Sequence, residues 1–195
     1  MSKRKLSREI IISHACAMIE ENGLEAFSLR KLAGSLSVQV SSLYNYFISE
    51  DDLLLEVSLS AIDLFTDYID SAREGLVRDE AAFSTADAFR RFVLEHPNLY
   101  EVITLSKWEN TAAAEFAIQK FLRPIYILMG QYGIEDETAQ AHILRVIRVS
   151  THGFCSLELT GEFDGSEVSK EESYHLLVQM VIDLMKKYSK ADKEE

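Results

Sequence analysis

Residues 27–54, FSLRKLAGSLSVQVSSLYNYFISEDDLL, predict two short helices joined by a tight turn and followed by the start of a third helix. Ser28 can cap the first helix, because its hydroxyl oxygen can accept a hydrogen bond from an N–H group of the first turn. The apolar face of that helix repeats every three or four residues, at Leu29, Leu32, Ala33 and Leu36. Residues 37–39 then leave room only for a turn.

A second helix is predicted from about Ser41, with Leu43 and Phe47 directed toward the interior. Two helices joined by a turn of three to four residues form a helix-turn-helix, whose second helix enters the major groove of DNA. The spacing therefore makes residues 28–47 a candidate DNA-binding motif.

The third helix is predicted to begin at Ser49. Ser49-x-x-Asp52 has the spacing of a capping box, and Ile48 with Leu53 has the spacing of a hydrophobic staple. Helical spacing continues from there without a break to about Gly75. We therefore expect a long helix that connects the motif to the rest of the chain.

This stretch resembles the N-terminal DNA-binding domain of the TetR family of transcriptional regulators, over roughly residues 7–55. The matching residues are Ser28, Leu29, Arg30, Leu32, Ala33, Val38, Ser42, Leu43, Tyr44, Tyr46, Phe47, Ser49, Leu53 and Leu54. Ser37 stands where the family usually has a turn glycine, so the turn is strained if the φ angle is positive there. Glu50 stands where the family commonly has a lysine near the phosphate backbone, so one cationic contact is missing.

Two kinds of DNA contact are predicted. The residues predicted to contact base edges are Gln39, Val40, Ser41 and Asn45. Gln39 and Asn45 have amide groups suited to adenine. Phosphate contacts, which set the register, are assigned to Ser28, Arg30, Ser42, Tyr44 and Tyr46. The alternative for the two tyrosines is packing against the first helix, and their hydroxyl groups allow both roles in part.

The formal net charge of −12 is unevenly distributed along the chain. Residues 1–47 hold six Lys and Arg against four Glu, a balance of +2, so the remaining residues carry −14. Charges more than about 8–10 Å apart are largely screened at physiological salt. We therefore expect a weakly basic DNA-binding end on an acidic body, with an affinity that depends strongly on salt.

The composition favours an all-α fold of about nine helices, because the chain has two prolines, eight glycines and no sustained polar–apolar alternation. Breaks are predicted near residues 75, 96–97, 133 and 160–170, and Pro124 interrupts one helix in its middle. We predict a helix-turn-helix domain at residues 1–48 and a helical domain for effector binding and dimerisation at residues 49–195.

The last two helices are apolar on more than one side, which favours self-association of one face with a second copy. A two-fold dimer would also supply the two half-sites that a helix-turn-helix generally reads, and the resemblance implies a four-helix bundle formed by two subunits. The candidate interface residues are Ile143, Ile147, Ser150, Phe154, Leu157, Leu177, Met180, Val181 and Leu184.

An effector pocket is implied by a weaker resemblance to TetR-type C-terminal domains that carry a tryptophan and a His-Gly pair. Gly153 within a helix suggests the close approach of another group. A pocket with many aromatic and few polar groups would suit a small apolar or aromatic effector, and the alternative is a packed core with a satisfied histidine. The candidate residues are Tyr100, Ile103, Trp108, Phe116, Phe121, Tyr126, Met129, His152 and Cys155.

No metal, cofactor or catalytic site is predicted. The five histidines do not pair at i, i+4, there is no CxxC, and neither a phosphate-binding glycine loop nor a nucleophile elbow occurs. No run of 18 uncharged apolar residues is long enough to span a membrane. The first residues lack a signal-peptide core, so we expect a cytoplasmic protein with reduced thiols at Cys16 and Cys155.

The sequence therefore predicts a homodimeric transcription regulator, a repressor, that binds a palindromic double-stranded operator and responds to a small effector. The alternative is a helical ligand-binding or protein-interaction module that has lost DNA binding, which Glu50 and the acidic balance support. An enzyme is not expected.

Overall fold

The computed structural model describes residues 6–105 and 112–189. Within these residues the chain forms nine α-helices and no strand, which confirms the predicted all-α fold. The helices are α1 (Arg8–Asn22), α2 (Leu29–Ser35), α3 (Val40–Leu43), α4 (Glu50–Ala72), α5 (Arg78–Glu95), α6 (Pro97–Leu105), α7 (Ala112–Gln131), α8 (Glu137–Leu159) and α9 (Lys170–Tyr188). None of the helices in these ranges is both long and apolar enough to cross a membrane.

Side-chain caps start the helices where the sequence predicts them. The hydroxyl oxygens of Ser28 and Ser169 accept from the backbone N–H groups of Lys31 (3.3 Å) and Glu172 (3.2 Å). Such caps satisfy N–H groups that have no partner within the helix. Pro124 does not interrupt α7 as predicted, because the helix continues through it from Ala112 to Gln131.

The start of α4 differs in detail from the prediction. Ser49 Oγ accepts from the Asp52 N–H at 3.0 Å, as a capping box requires, but Asp52 Oδ2 accepts from the Ile48 N–H at 2.9 Å. The Ile48 side chain is 91% exposed, whereas Leu53 is fully buried. The predicted hydrophobic staple between these two residues is therefore wrong.

The contacts divide the described residues into two compact units. The first unit contains α1–α3, α4 up to Leu64, α6, and α7 up to Lys120. The second contains the end of α4 from Phe65, α5, the remainder of α7, α8 and α9. This grouping differs from the predicted division between residues 48 and 49, because α4 and α6 share the hydrophobic core of α1–α3.

The core of the first unit is an apolar cluster that draws residues from five helices. Val57 of α4 and Val102 of α6 are fully buried in it beside Ile11, Leu32 and Leu43. Burial of each such side chain contributes about 1.5–3 kcal/mol. The helices around the helix-turn-helix therefore share one hydrophobic core.

Polar contacts fasten α6 to the end of α1. The Asn98 side-chain amide donates to the Glu20 backbone oxygen at 2.8 Å, and His96 Nδ1 lies 2.6 Å from Glu20 Oε1. His96 also caps α6, since its backbone oxygen accepts from the Tyr100 N–H at 2.9 Å. The first turn of α6 is thereby held against α1.

The second unit is held by an ion pair at the junction of α5, α8 and α9. The Arg90 guanidinium donates to both carboxylate oxygens of Glu158, at 2.7 and 2.6 Å, and lies 5.5 Å from the centre of the Tyr174 ring. The Tyr174 hydroxyl donates to the Ala86 oxygen at 2.9 Å. Burial raises the pKa of the neighbouring Cys155 thiol to about 12, which keeps it protonated and unreactive.

Ser37 should be replaceable by glycine with a gain in stability. Its φ angle is +55°, the left-handed conformation that costs a residue with a Cβ atom roughly 1–2 kcal/mol. Since glycine also gains freedom in the unfolded chain, we expect Ser37→Gly to raise the free energy of unfolding by about 0.5–1 kcal/mol in urea titrations. Ser37→Ala is the matched control and should give no gain, and equal effects of the two substitutions would contradict this assignment.

The Asp79 carboxylate should make stability depend on acid pH. Hydrogen bonds from Lys186 (2.6 Å) and from the Tyr132 hydroxyl (2.7 Å) hold its pKa below the ordinary value. A lowered pKa stabilises the fold above a pH of about 4, and this contribution is lost as pH falls through the folded-state pKa.

We therefore expect Asp79→Asn to lower the free energy of unfolding at pH 7 by up to about 1 kcal/mol, since the groups are partly solvated. The difference from the wild type should shrink in urea titrations below a pH of about 4. Asp67→Asn, which changes an exposed aspartate of α4, serves as the control and should have no effect. A pH-independent loss with Asp79→Asn would contradict the linkage.

Candidate nucleic-acid interface

Two backbone hydrogen bonds close the turn between α2 and α3. The Ser37 N–H donates to the Gly34 oxygen at 3.0 Å, and the Val38 N–H donates to the Ala33 oxygen at 2.9 Å. The left-handed conformation at Ser37 allows both bonds. Because a serine stands here in place of the usual turn glycine, this conformation is strained, as the sequence predicts. The turn therefore fixes the direction in which α3 leaves α2.

Helix α3 is shorter than predicted, with only four residues in regular helical conformation. The chain continues beyond it in a turn, in which the Tyr46 and Phe47 N–H groups both donate to the Leu43 oxygen, at 2.9 and 3.2 Å. Leu43 and Phe47 are buried as predicted. We call residues 39–47 the recognition segment.

The predicted base-contacting residues lie on the outside of the recognition segment. Gln39, Ser41 and Asn45 are exposed, whereas Val40 is partly buried against the core of the first unit. Three polar side chains are therefore presented to solvent on a base of buried apolar residues.

The predicted phosphate-contacting residues fall into two groups. Arg30 and Tyr44 are exposed, and 55% of the tyrosine surface is accessible. Ser28 and Ser42 are partly buried, and Ser28 is occupied as the cap of α2. The Tyr46 hydroxyl donates to the Leu6 oxygen at 2.8 Å, so this tyrosine adopts the packing role.

Arg8 joins this region although no sequence pattern assigned it a role. Its guanidinium donates to the Tyr46 backbone oxygen at 2.5 Å and to Glu56 Oε1 at 2.6 Å. It also lies 4.5 Å from the centre of the Phe47 ring. These partners are 38 to 48 residues away in the chain, so local periodicity carries no signal for them.

Acidic side chains follow the recognition segment directly. Glu50 and Asp51 are exposed in the first turn of α4, where negative charge complements the helix dipole. The same charges lower the positive potential next to Tyr44 and Asn45. The helix start is thus favourable for folding and unfavourable for an approaching phosphate.

The predicted effector-pocket residues are divided between the two units. Tyr100 and Ile103 are buried in the first unit, where Phe116 is exposed. In the second unit Met129 and Cys155 are fully buried and Phe121 is partly buried, whereas Tyr126 and His152 are exposed. The exposed side chains point away from the interior of their own unit. Trp108 lies outside the described residues.

A cleft of about 400 Å³ lies between α1 and α4 in the first unit. Three carboxylates contribute to its wall, so it is more polar than the effector pocket that the sequence predicts. The lining residues are Glu9, Ile12, Ser13, Cys16, Glu56, Ser60 and Asp63. None of the predicted pocket residues is among them.

Three of the nine predicted interface residues require a correction, because they face inward. Ile143 is fully buried and Ile147 and Val181 are 9% exposed, so all three pack into the second unit rather than form an outer face. Ser150, Phe154, Leu177 and Leu184 are partly buried, and Leu157 and Met180 are exposed. The exposed apolar face of α8 and α9 consists of Val146, Val149, Leu157, Leu176 and Met180.

Solved structures with the same fold include regulators in two kinds of complex. BioQ with its natural double-stranded DNA operator has a TM-score of 0.68 and 17% identity, over 94% of this chain and 99% of that chain. A TetR variant from Acinetobacter baumannii AYE in complex with minocycline has a TM-score of 0.69 and 17% identity, over 95% and 99%.

Sequence comparisons cover most of the chain. Residues 11–57 match the family model described as bacterial regulatory proteins, tetR family, and residues 82–181 match the tetracyclin repressor-like, C-terminal domain. The uncharacterised HTH-type transcriptional regulator Rv0681 of Mycobacterium tuberculosis is 31% identical over 82% of this chain and 73% of its own length. With a DNA-binding motif at one end and this C-terminal domain at the other, the chain belongs to the TetR family of transcriptional regulators.

Proposed function

We propose that this regulator is a cytoplasmic, homodimeric repressor that binds a palindromic DNA operator and is released from it by a small molecule. The observation that carries the proposal is the recognition segment, which presents Gln39, Ser41 and Asn45 to solvent while Leu43 and Phe47 anchor it. The BioQ complex, in which a protein of this fold holds its operator, supports the DNA-binding role.

The exposed side chains divide the work of recognition. The amide groups of Gln39 and Asn45 can donate to and accept from one base edge, as adenine requires in the major groove. Arg30 and Tyr44 reach the phosphates and set the register, with smaller contributions from Ser28 and Ser42. Tyr46 acts from behind the segment, because its hydroxyl is occupied by Leu6.

The second subunit covers the exposed apolar face of α8 and α9. Val149 and Met180 are 75% and 73% exposed, which is unusual for side chains of this size that recur on two adjacent helices. A two-fold interface through this face would fix two recognition segments about one DNA turn apart.

The effector is expected to be small and apolar or aromatic, bound among the buried residues of the C-terminal domain. The complex of a TetR variant with minocycline supports ligand control in a protein of this fold. A ligand can shift the protein toward a state of lower DNA affinity only if it binds that state more tightly. The extent of release from the operator then depends on how much more tightly the ligand binds the state of lower DNA affinity.

Arg30→Met should weaken operator binding and make that binding less dependent on salt concentration. Each neutralised phosphate contributes about −0.9 to the slope of log K against log salt, so losing one contact in each subunit should make the slope less negative by about 1.8. The affinity should fall on the order of tenfold at low salt. Fluorescence anisotropy with DNA that flanks the coding region, at several salt concentrations, would measure both quantities.

Glu50→Gln provides the control of opposite sign. It removes an exposed negative charge beside the recognition segment, so the affinity should rise where that of Arg30→Met falls. Unchanged affinity and slope for both variants would contradict the proposed contact face. Failure of the wild type to prefer any such DNA over random sequence would favour a ligand-binding module without an operator.

Charge on the exposed face of α8 and α9 should separate the subunits. We expect Val149→Glu and Met180→Glu each to give monomers in sedimentation equilibrium and to lower operator affinity at least tenfold, because a buried unpaired carboxylate is costly. Val168→Glu, at a residue 66% exposed in the loop before α9, is the matched control and should remain dimeric. Dimers of both interface variants would contradict the proposed interface.

A further inference from the structure

The start of α1 is fastened to the end of the recognition segment by contacts that we call the N-terminal clamp. The clamp consists of Leu6, Arg8, Tyr46, Phe47 and Glu56. Within it the Tyr46 hydroxyl donates to the Leu6 backbone oxygen. The Arg8 guanidinium donates to the Tyr46 backbone oxygen and to the Glu56 carboxylate. Three separate stretches of the first unit therefore meet at one guanidinium.

We propose that Arg8 is a positioning residue, which sets the pose of the recognition segment through this clamp rather than by contact with DNA. The inference rests on the proposed operator binding and adds a residue to it whose guanidinium is engaged by partners within the first unit. Glu56 and the Tyr46 hydroxyl are the other two members on which the pose depends.

The chemistry of Arg8 suits this role. Its two terminal nitrogens donate to two partners, a backbone oxygen at 2.5 Å and a carboxylate at 2.6 Å, and its central carbon lies 4.5 Å from the centre of the Phe47 ring. Charge-assisted hydrogen bonds are about twice as strong as neutral ones, and a planar guanidinium can hold several partners at fixed angles. Lysine, with a compact ammonium group, could not make these contacts together.

The recognition segment needs an external support of this kind. Its regular helix has four residues, far fewer than the roughly 12–15 that a helix requires to persist in water by itself. Leu43 and Phe47 anchor it from below, and the contacts of Arg8 and Tyr46 add a polar attachment at its end. The clamp fixes the Tyr46 backbone, which directly follows the proposed DNA contacts Tyr44 and Asn45.

The effect of Glu56→Gln on DNA affinity distinguishes a positioning role of Arg8 from direct electrostatic attraction to DNA. If only the field at the DNA mattered, removing this negative charge would raise affinity, as expected for Glu50. If the clamp sets the pose, Glu56→Gln frees Arg8 from its carboxylate partner and lowers affinity. The sign of the change therefore separates the two accounts.

The experiment compares Arg8→Met, Glu56→Gln, the double variant and Tyr46→Phe, with Arg30→Met as the phosphate-contact control. We expect affinity to fall about tenfold for Arg8→Met and several-fold for Glu56→Gln and Tyr46→Phe. The salt slope should stay at the wild-type value for all three, and only Arg30→Met should reduce it. The double variant should lose little more than Arg8→Met, because both changes break one arrangement.

Hydrogen–deuterium exchange measures, without DNA, how readily the backbone of the recognition segment opens. Arg8→Met and Tyr46→Phe should exchange faster in peptides covering residues 43–48 and remain unchanged in peptides from α9. Sedimentation and thermal unfolding confirm that each variant is a folded protein of wild-type assembly. Tyr46→Phe removes a single hydroxyl group, so it tests the clamp even if Arg8→Met folds poorly.

Either of two results would overturn the proposal. A salt slope reduced by Arg8→Met as much as by Arg30→Met would make Arg8 a phosphate contact, and unchanged exchange at residues 43–48 would mean that the clamp does not hold the segment. A wild type that binds no operator, with faster exchange in the variants, would instead refute the proposed operator binding and leave the clamp supported.

Discussion

Everything at the DNA-binding end depends on how a helix of four residues is held in place. Such a helix gains too few internal hydrogen bonds to offset its loss of conformational entropy, so its shape is imposed by its surroundings. Leu43 and Phe47 attach it to the apolar core, the turn at Ser37 sets the direction of entry, and the clamp at Arg8 holds the exit. Exposed polar groups can be precise here only because the layer beneath them is closely packed.

Charge is arranged to keep this end distinct from the remainder of the chain. The first 47 residues carry a small positive balance, whereas the rest carries a large negative one. Within the second unit the opposite charges of Arg90 and Glu158 pair between α5 and α8, so together they add nothing to the net charge. An acidic surface disfavours indiscriminate binding along DNA, which leaves affinity to the contacts that a particular operator can satisfy.

Much of this structure could be predicted from local sequence, and the exceptions share a physical cause. Serine caps and apolar spacing act within one or two turns, so the helix starts and the strained turn at Ser37 were predictable. Arg8 meets partners some 40 residues away, and no local pattern encodes such a meeting. Ile143 was predicted on an outer face but is buried, whereas Val149 is exposed, because both side chains are apolar and only packing decides which of them is buried. Likewise, composition alone could not assign His152 to an exposed position.

The attachment of α6 to α1 changes what counts as the DNA-binding module of this regulator. Val102 completes the apolar core beneath the helix-turn-helix, and Asn98 and His96 close the end of α1 through Glu20. A fragment cut after residue 48 would expose that core to water and leave Glu20 without these partners. Exchanging operator specificity between relatives therefore means transplanting a discontinuous unit, in which residues 96–105 travel with the N-terminal helices.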